Sequence, residues 1–255
     1  MARRALLFDV GNTRVKWGFF NGDALSRTGS IKHEQLRENG FSSLATRLPR
    51  DVQDVLASNV AGPGFGARLS SFIGIHCGMA VHFAKPQKTA FGIDNAYPQA
   101  RRLGVDRWVA MIGARAEIKT ALCVVDAGTA VTIDLVDRSG RHLGGQIIPG
   151  LELMARALQS ETSDIGATAI TRQEPGSGMA SFANNTRRAV QYGALSAICG
   201  AIERAVRIMR AEGYRPRIIL TGGDASRILK LLDGNVLHRP HLVLQGLAFM
   251  LQHGS

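Results

Sequence analysis

Nothing in these 255 residues approaches the unbroken run of roughly 18–20 apolar residues that a membrane-crossing helix requires. The opening MARRALLFDVGNTR is interrupted by Asp9 too soon to form the apolar centre of a secretory signal. A cytoplasmic chain with no membrane partner is therefore expected. Cysteine is scarce: Cys77, Cys123 and Cys199 are odd in number, far apart and set among apolar neighbours. Neither a paired zinc spacing nor a CxxC redox motif exists, so core thiols are expected. His33, His76, His82, His142, His238, His241 and His253 show no metal-ligand spacing, and none is nominated for catalysis. Two glycine signatures are also missing. GxxxxGK[ST] does not occur, which excludes a P-loop, and no GxGxxG follows the first strand, which argues against a dinucleotide fold.

What the chain has in excess is positive charge. The formal charge is +11 and the isoelectric point near 10.4, a balance that attracts polyanions. The arginines are scattered, as at Arg101, Arg102, Arg115, Arg187, Arg188, Arg204 and Arg210. They form no basic block interleaved with aromatics, and no zinc finger or GXXG loop accompanies them, so no dedicated nucleic-acid partner is expected. A nucleic-acid-binding regulator remains the competing class. With 45% hydrophobic and 20% charged residues, the composition is that of a folded protein with room for one large or two modest domains.

Residues 5–10, ALLFDV, read as a short buried strand ending at Gly11. VKWGFF follows as a second strand, VQDVLASNV as another, and residues 65–76 as a helix before AVHFA. A segment punctuated by Pro86, Gly92 and Pro98 leads to a helical period after Val105, carried by Trp108, Ile112 and Arg115. The second half repeats the opening: LCVVD, the turn Ala127-Gly128-Thr129-Ala130, the alternating VTIDLVD, then HLGGQII. Pro149-Gly150 precedes a helix through Leu158, and residues 184–213 carry a long helical pattern with Gly193 and Gly200 as points of interruption. RIILTGGDAS reads as strand, glycine turn and helix start, and LVLQGLAFML as a closing helix. The reading is mixed α/β with two similar domains, 1–118 and 119–255.

Two turns can carry phosphate chemistry. In Asp9-Val10-Gly11-Asn12-Thr13 the glycine lets backbone N–H groups approach an anion and Thr13 adds a hydroxyl donor. Asp9 would repel phosphate alone but suits a phosphate-bound Mg²⁺, and Lys16 can offset phosphate charge. An Asx-turn explains an isolated copy equally well. The second turn, Asp126-Ala127-Gly128-Thr129, again sets a carboxylate at a strand end just ahead of glycine. Thr221-Gly222-Gly223-Asp224 offers close backbone approach to a nucleotide, although an αL turn accounts for Gly222-Gly223 nearly as well.

Together DVGNTRVKWG, LGVDRW, VVDAGTAVTIDLV, GGQIIPG, NNTRRAVQYG and LTGGDA resemble, in order, the motifs of type III pantothenate kinases. That family lies within the acetate and sugar kinase/Hsp70/actin superfamily. The resemblance covers nearly the whole chain. It implies duplicated ribonuclease-H-like domains with mixed β-sheets, an active site between them, and a homodimer. It also implies ATP as co-substrate, Mg²⁺ or another divalent cation, a monovalent cation (K⁺ or NH₄⁺), and pantothenate as acceptor. Asp106 resembles the catalytic base, with helix capping as the ordinary alternative. Arg107 resembles a substrate-binding residue, against a surface ion pair. Gly104, Val105, Tyr97 and Thr186 match substrate positions; a core tyrosine and a helix-capping threonine are the plain readings of the last two. Asp126 resembles the ligand of the monovalent cation, though its sequence context does not choose K⁺ over a water-bridged Mg²⁺.

Overall fold

Every residue of Ala5–Val10 is buried, and this apolar run forms the central strand β1 of a first sheet. The computed structural model describes residues 3–162, 165 and 178–254. β2 (Arg14–Phe20) and β3 (Leu25–Lys32) follow as antiparallel neighbours, then α1 (His33–Asn39). β4 (Asp54–Asn59) pairs parallel with β1, α2 (Pro63–Cys77) crosses over, and β5 (Val81–Phe83) pairs parallel with β4. α2 starts with Pro63 in its first turn and stops at Gly78, whose left-handed backbone donates to the Gly74 carbonyl. A small hairpin, β6 (Thr89–Ala90) and β7 (Ile93–Asp94), precedes α3 (Val105–Glu117).

The second half repeats this plan. β8 (Leu122–Ala127), β9 (Ala130–Val136) and β10 (His142–Pro149) form an antiparallel meander. α4 (Leu151–Glu161) and α5 (Thr186–Ala211) come next. β11 (Arg217–Thr221) pairs parallel with β8; α6 (Ala225–Leu229) leads to β12 (Val236–His238), parallel to β11. The strand orders are β3-β2-β1-β4-β5 and β10-β9-β8-β11-β12, the same order with the same directions. α7 (Leu242–His253) closes the chain.

Contacts group the chain into two units, Met1–Lys119 with His241–Ser255, and Thr120–Pro240. The sequence-based division placed residues 241–255 with the second half; contact places them with the first, because α7 packs on α3 and on β1 and β4. One core gathers Phe8, Trp17, Val55, Leu69 and Ile73, the other Ile133, Leu195, Ile198, Ile202 and Leu220. Cys123 and Cys199 lie inside the second, where burial pushes their thiols up to about 12 and about 11. Cys77 is half-buried at the end of α2. α5 runs unbroken through Gly193 and Gly200. Among the described residues, no helix is long and apolar enough to cross a membrane.

Candidate active site

In the first unit β1 and β2 place Asp9 directly opposite Lys16, with Lys16 Nζ 3.6 Å from the Asp9 carboxylate. Asp9 is buried, so this charge is shielded from bulk water and its electrostatic reach is longer than a surface carboxylate's. The Gly11 N–H donates to the Arg14 carbonyl at 3.1 Å, closing the turn, and Asn12 and Thr13 are exposed at its tip. Two further bonds hold the turn: Val60 N–H to the Val10 carbonyl (2.9 Å) and His33 N–H to the Thr13 carbonyl (2.9 Å). The His33 ring turns away to stack on Phe65 at 4.6 Å. Burial, with Arg37 and Arg68 nearby, lowers its pKa below the ordinary histidine value.

The second unit holds its turn with three backbone bonds as well, although the turn is one residue shorter. Gly128 N–H donates to the Ala130 carbonyl (3.0 Å), Asp224 N–H to the Ala127 carbonyl (3.0 Å) and Gly150 N–H to the Thr129 carbonyl (2.9 Å). The register places Asp126 between Thr132 of β9 and Thr221 of β11. The glycines here fall into two kinds. A Cβ on Gly128 would make ordinary contacts and one on Gly223 would meet nothing within 4 Å, and neither has a positive φ. Gly222 has φ +100°, and a Cβ there would lie 2.3 Å from the Ala127 carbonyl oxygen. Gly222 is thus accounted for by its turn and by packing, whereas neither conformation nor crowding requires a glycine at 128 or 223.

α3 carries the third group. Gly104 is its N-cap, so Asp106 is the second helical residue and not the cap; its carboxylate accepts from the Arg107 N–H at 2.8 Å. A Cβ on Gly104 would stand 2.8 Å from Asp106 Oδ1, so glycine makes room for that carboxylate. Val105 is buried beneath. Arg107 is buried as well, which removes the surface ion-pair reading; its guanidinium donates to Tyr97 Oη at 3.0 Å and lies 5.8 Å from the ring centre. Thr186 is the exposed first residue of α5, and the capping is done by Asn185, whose side chain accepts from the Arg188 N–H at 3.0 Å.

Bonds and close approaches therefore bring together Asp9 with Lys16, Asp106 with Gly104 and through Arg107 with Tyr97, and the 126–129 turn with Gly150 and Gly222. Thr186, at the start of α5, is not among them. Sequence reasoning passed over Asn95, which is wholly buried. Its side-chain NH₂ donates to the Gln87 and Ala100 carbonyls, and its Oδ1 accepts from the Tyr97 N–H at 2.9 Å. It thereby shapes the loop that presents Tyr97 to Arg107. An Asn followed by a Pro-containing loop was the available signal. Gly150 entered the sequence reading as the residue before a helix and the last of GGQIIPG, with no site role of its own.

Fold and site together define a duplicated α/β protein with a carboxylate–glycine turn at the end of the first strand of each half. The type III pantothenate kinase family model matches residues 5–208, and the chain belongs to that family. A type III pantothenate kinase from Nitrosococcus oceani is 34% identical over 249 residues, covering 95% of this chain and 92% of its own length. One from Aromatoleum aromaticum is 36% identical over 252 residues, with 98% of each chain covered. A conserved Baf family protein from Campylobacter jejuni shares the fold at a TM-score of 0.58, with 20% identity over 97% of this chain and 98% of its own.

Proposed function

We propose that this chain transfers the γ-phosphoryl group of ATP to the primary hydroxyl of pantothenate, giving 4′-phosphopantothenate and ADP, the first step of coenzyme A biosynthesis. The match of the family model to residues 5–208 carries this reading. The strand order common to both units supports reading them as a ribonuclease-H-like pair.

In this reading Asp106 accepts the proton of the attacking hydroxyl. Its place in the first turn of α3 sets its carboxylate beside the positive helix end. Arg107, buried and steadied by Tyr97, pairs with the pantothenate carboxylate, with Gly104, Val105 and Thr186 completing the acceptor site. Asn12 and Thr13, with Thr129 and Gly223, present N–H and hydroxyl donors to the polyphosphate; Gly11 and Gly128, whose own N–H groups close the two turns, let it approach the backbone, and Gly222 shapes the turn that exposes Gly223. Lys16 balances phosphate charge.

Among the described residues no three His, Cys, Asp or Glu side chains cluster as a metal cage. Single carboxylates at Asp9 and Asp126 fit cations that take their other ligands from phosphate and water. Asp9 would stand beside Mg²⁺ and Asp126 beside K⁺ or NH₄⁺. Mg²⁺ would neutralise the phosphate oxygens. Pairing of two copies is proposed on exposed Ile147 of β10 and Leu153 and Leu158 of α4, and a cytoplasmic setting follows from the substrates.

Purified protein with Mg-ATP and pantothenate, titrated with K⁺ and read by mass detection of phosphopantothenate, tests the assignment. Pantothenate-dependent product is expected. ADP formation indifferent to pantothenate, or duplex DNA binding that persists at moderate salt without any product, would overturn it.

A further inference from the structure

Each carboxylate–glycine turn is held by three backbone bonds, and one of them, a brace to the carbonyl ahead of the second strand, occurs in both units but with different residues. The residue following β3 and the residue following β10 each donate their N–H to the carbonyl just ahead of the second strand of the sheet. In the first unit that residue is His33, whose side chain has space to stack on Phe65. In the second it is Gly150. Its backbone is ordinary for any residue, with φ −75° and ψ 174°, so conformation does not require glycine. Space does: a Cβ on Gly150 would lie 2.1 Å from the Gly128 carbonyl oxygen and 2.7 Å from that of Thr129. Here the N-terminal end of α4 lies against the turn, backbone on backbone. Gly222 and Asp224 hold the same turn through Ala127.

We propose that Gly150 is a positioning residue of the reaction, holding the Gly128–Thr129 peptide at the place where it meets polyphosphate. This rests on the reading of that turn as phosphate-handling. The Gly128 carbonyl is packed against Gly150 and the Thr129 carbonyl accepts its N–H, while the Gly128 N–H donates to the Ala130 carbonyl, so the peptide between Gly128 and Thr129, with the Thr129 N–H it carries, is held in place. Donors fixed in advance cost no reorganisation when charge shifts during transfer. A methyl at position 150 must push the turn or the helix start back by about 1 Å, a displacement that can cost roughly 10²-fold in rate when it falls on a positioning group. The effect should appear in ATP handling and leave the acceptor side, on α3, alone.

Gly150→Ala, Thr129→Ala and the wild-type chain would be compared by steady-state kinetics in both substrates and by thermal melting. The expected result is a folded Gly150→Ala protein whose kcat/KM for ATP falls by ~10–10²-fold while KM for pantothenate stays within about twofold. If Thr129→Ala lowers kcat/KM for ATP and folded Gly150→Ala does not, the brace is wrong. If Thr129→Ala changes nothing, the phosphate reading of the turn falls, and the proposal with it. Should Gly150→Ala fail to fold, amide exchange of the wild-type chain decides. A non-hydrolysable ATP analogue with Mg²⁺ should slow exchange in residues 126–131 and 148–153 together. Protection of 126–131 alone would overturn the brace.

Discussion

Asp106 stands one residue inside α3, where a carboxylate gains about 0.3–1 kcal/mol from the helix N-terminus whatever else it does. Asp106→Asn separates that contribution from catalysis. As general base its loss should lower single-turnover transfer to pantothenate by roughly 10²–10⁴-fold, with ATP affinity little changed. As a helix-end charge alone, its loss should cost only those few tenths of a kcal/mol in thermal stability and leave turnover near wild type. Transfer, ATP titration and melting on the one variant tell the two apart, and near-normal transfer would remove Asp106 from the mechanism. The residue types of this group were legible, because DVGNTR, VDRW and VVDAGT place acid, glycine and hydroxyl together in the chain. Their company was not. Arg107 meets Tyr97 across a loop whose shape depends on the buried side chain of Asn95, and no local spacing announces that contact. Glycines look alike in a sequence; only the space around each one separates open Gly128 and Gly223 from crowded Gly150 and Gly222.

Helices make the same point at larger scale. Gly193 and Gly200 read as breaks in a pattern that the structure carries through from Thr186 to Ala211. Ala194, Leu195, Ile198 and Ile202 bury one face of α5 against the second sheet, and that packing outweighs two poor helix formers. Both glycines sit on the exposed face with nothing within 4 Å of a would-be Cβ. Gly193→Ala and Gly200→Ala should each raise stability by about 0.4–1 kcal/mol. Gly113 and Gly246, also helical, are where α3 and α7 touch. A Cβ on Gly113 would stand 2.7 Å from the Leu242 carbonyl oxygen, and one on Gly246 2.1 Å from that of Val109. The same substitution there should cost about 1–3 kcal/mol as overpacking. Urea midpoints of the four variants check the signs; a uniform response would refute the packing account. The strands lost to the sequence reading were β3, β6, β7 and β12, and α1 went with them. β6, β7 and β12 span two, two and three residues, too short for a period to show, and β3 is exposed at most positions, so its alternation is blurred.

For the whole molecule, duplication was legible because strand, turn, strand and hairpin recur in the same order. Membership of the closing helix was not, since chain order suggested the second half while contact gives the first. The reason is physical. The first sheet needs cover that its own segment does not supply, and α7 brings Leu242, Val243, Leu244, Leu247, Met250 and Leu251 to it, all buried. At ~1.5–3 kcal/mol for each large apolar side chain, that burial amounts to roughly 10–20 kcal/mol as an upper bound. A whole domain has a net stability of only about 5–15 kcal/mol. Losing α7 should therefore unfold the first unit altogether, although the deleted residues lie more than a hundred positions from Asp9, Lys16 and Asp106. A chain ending at Pro240 should show no cooperative melting of the first unit, bind a hydrophobic dye, and form no phosphopantothenate. A division at residue 118 predicts the opposite for that unit: it would keep its fold and its share of the site. Circular dichroism, dye binding and the product assay on the truncated chain decide, and cooperative unfolding with retained transfer would show that α7 is dispensable to the unit it covers.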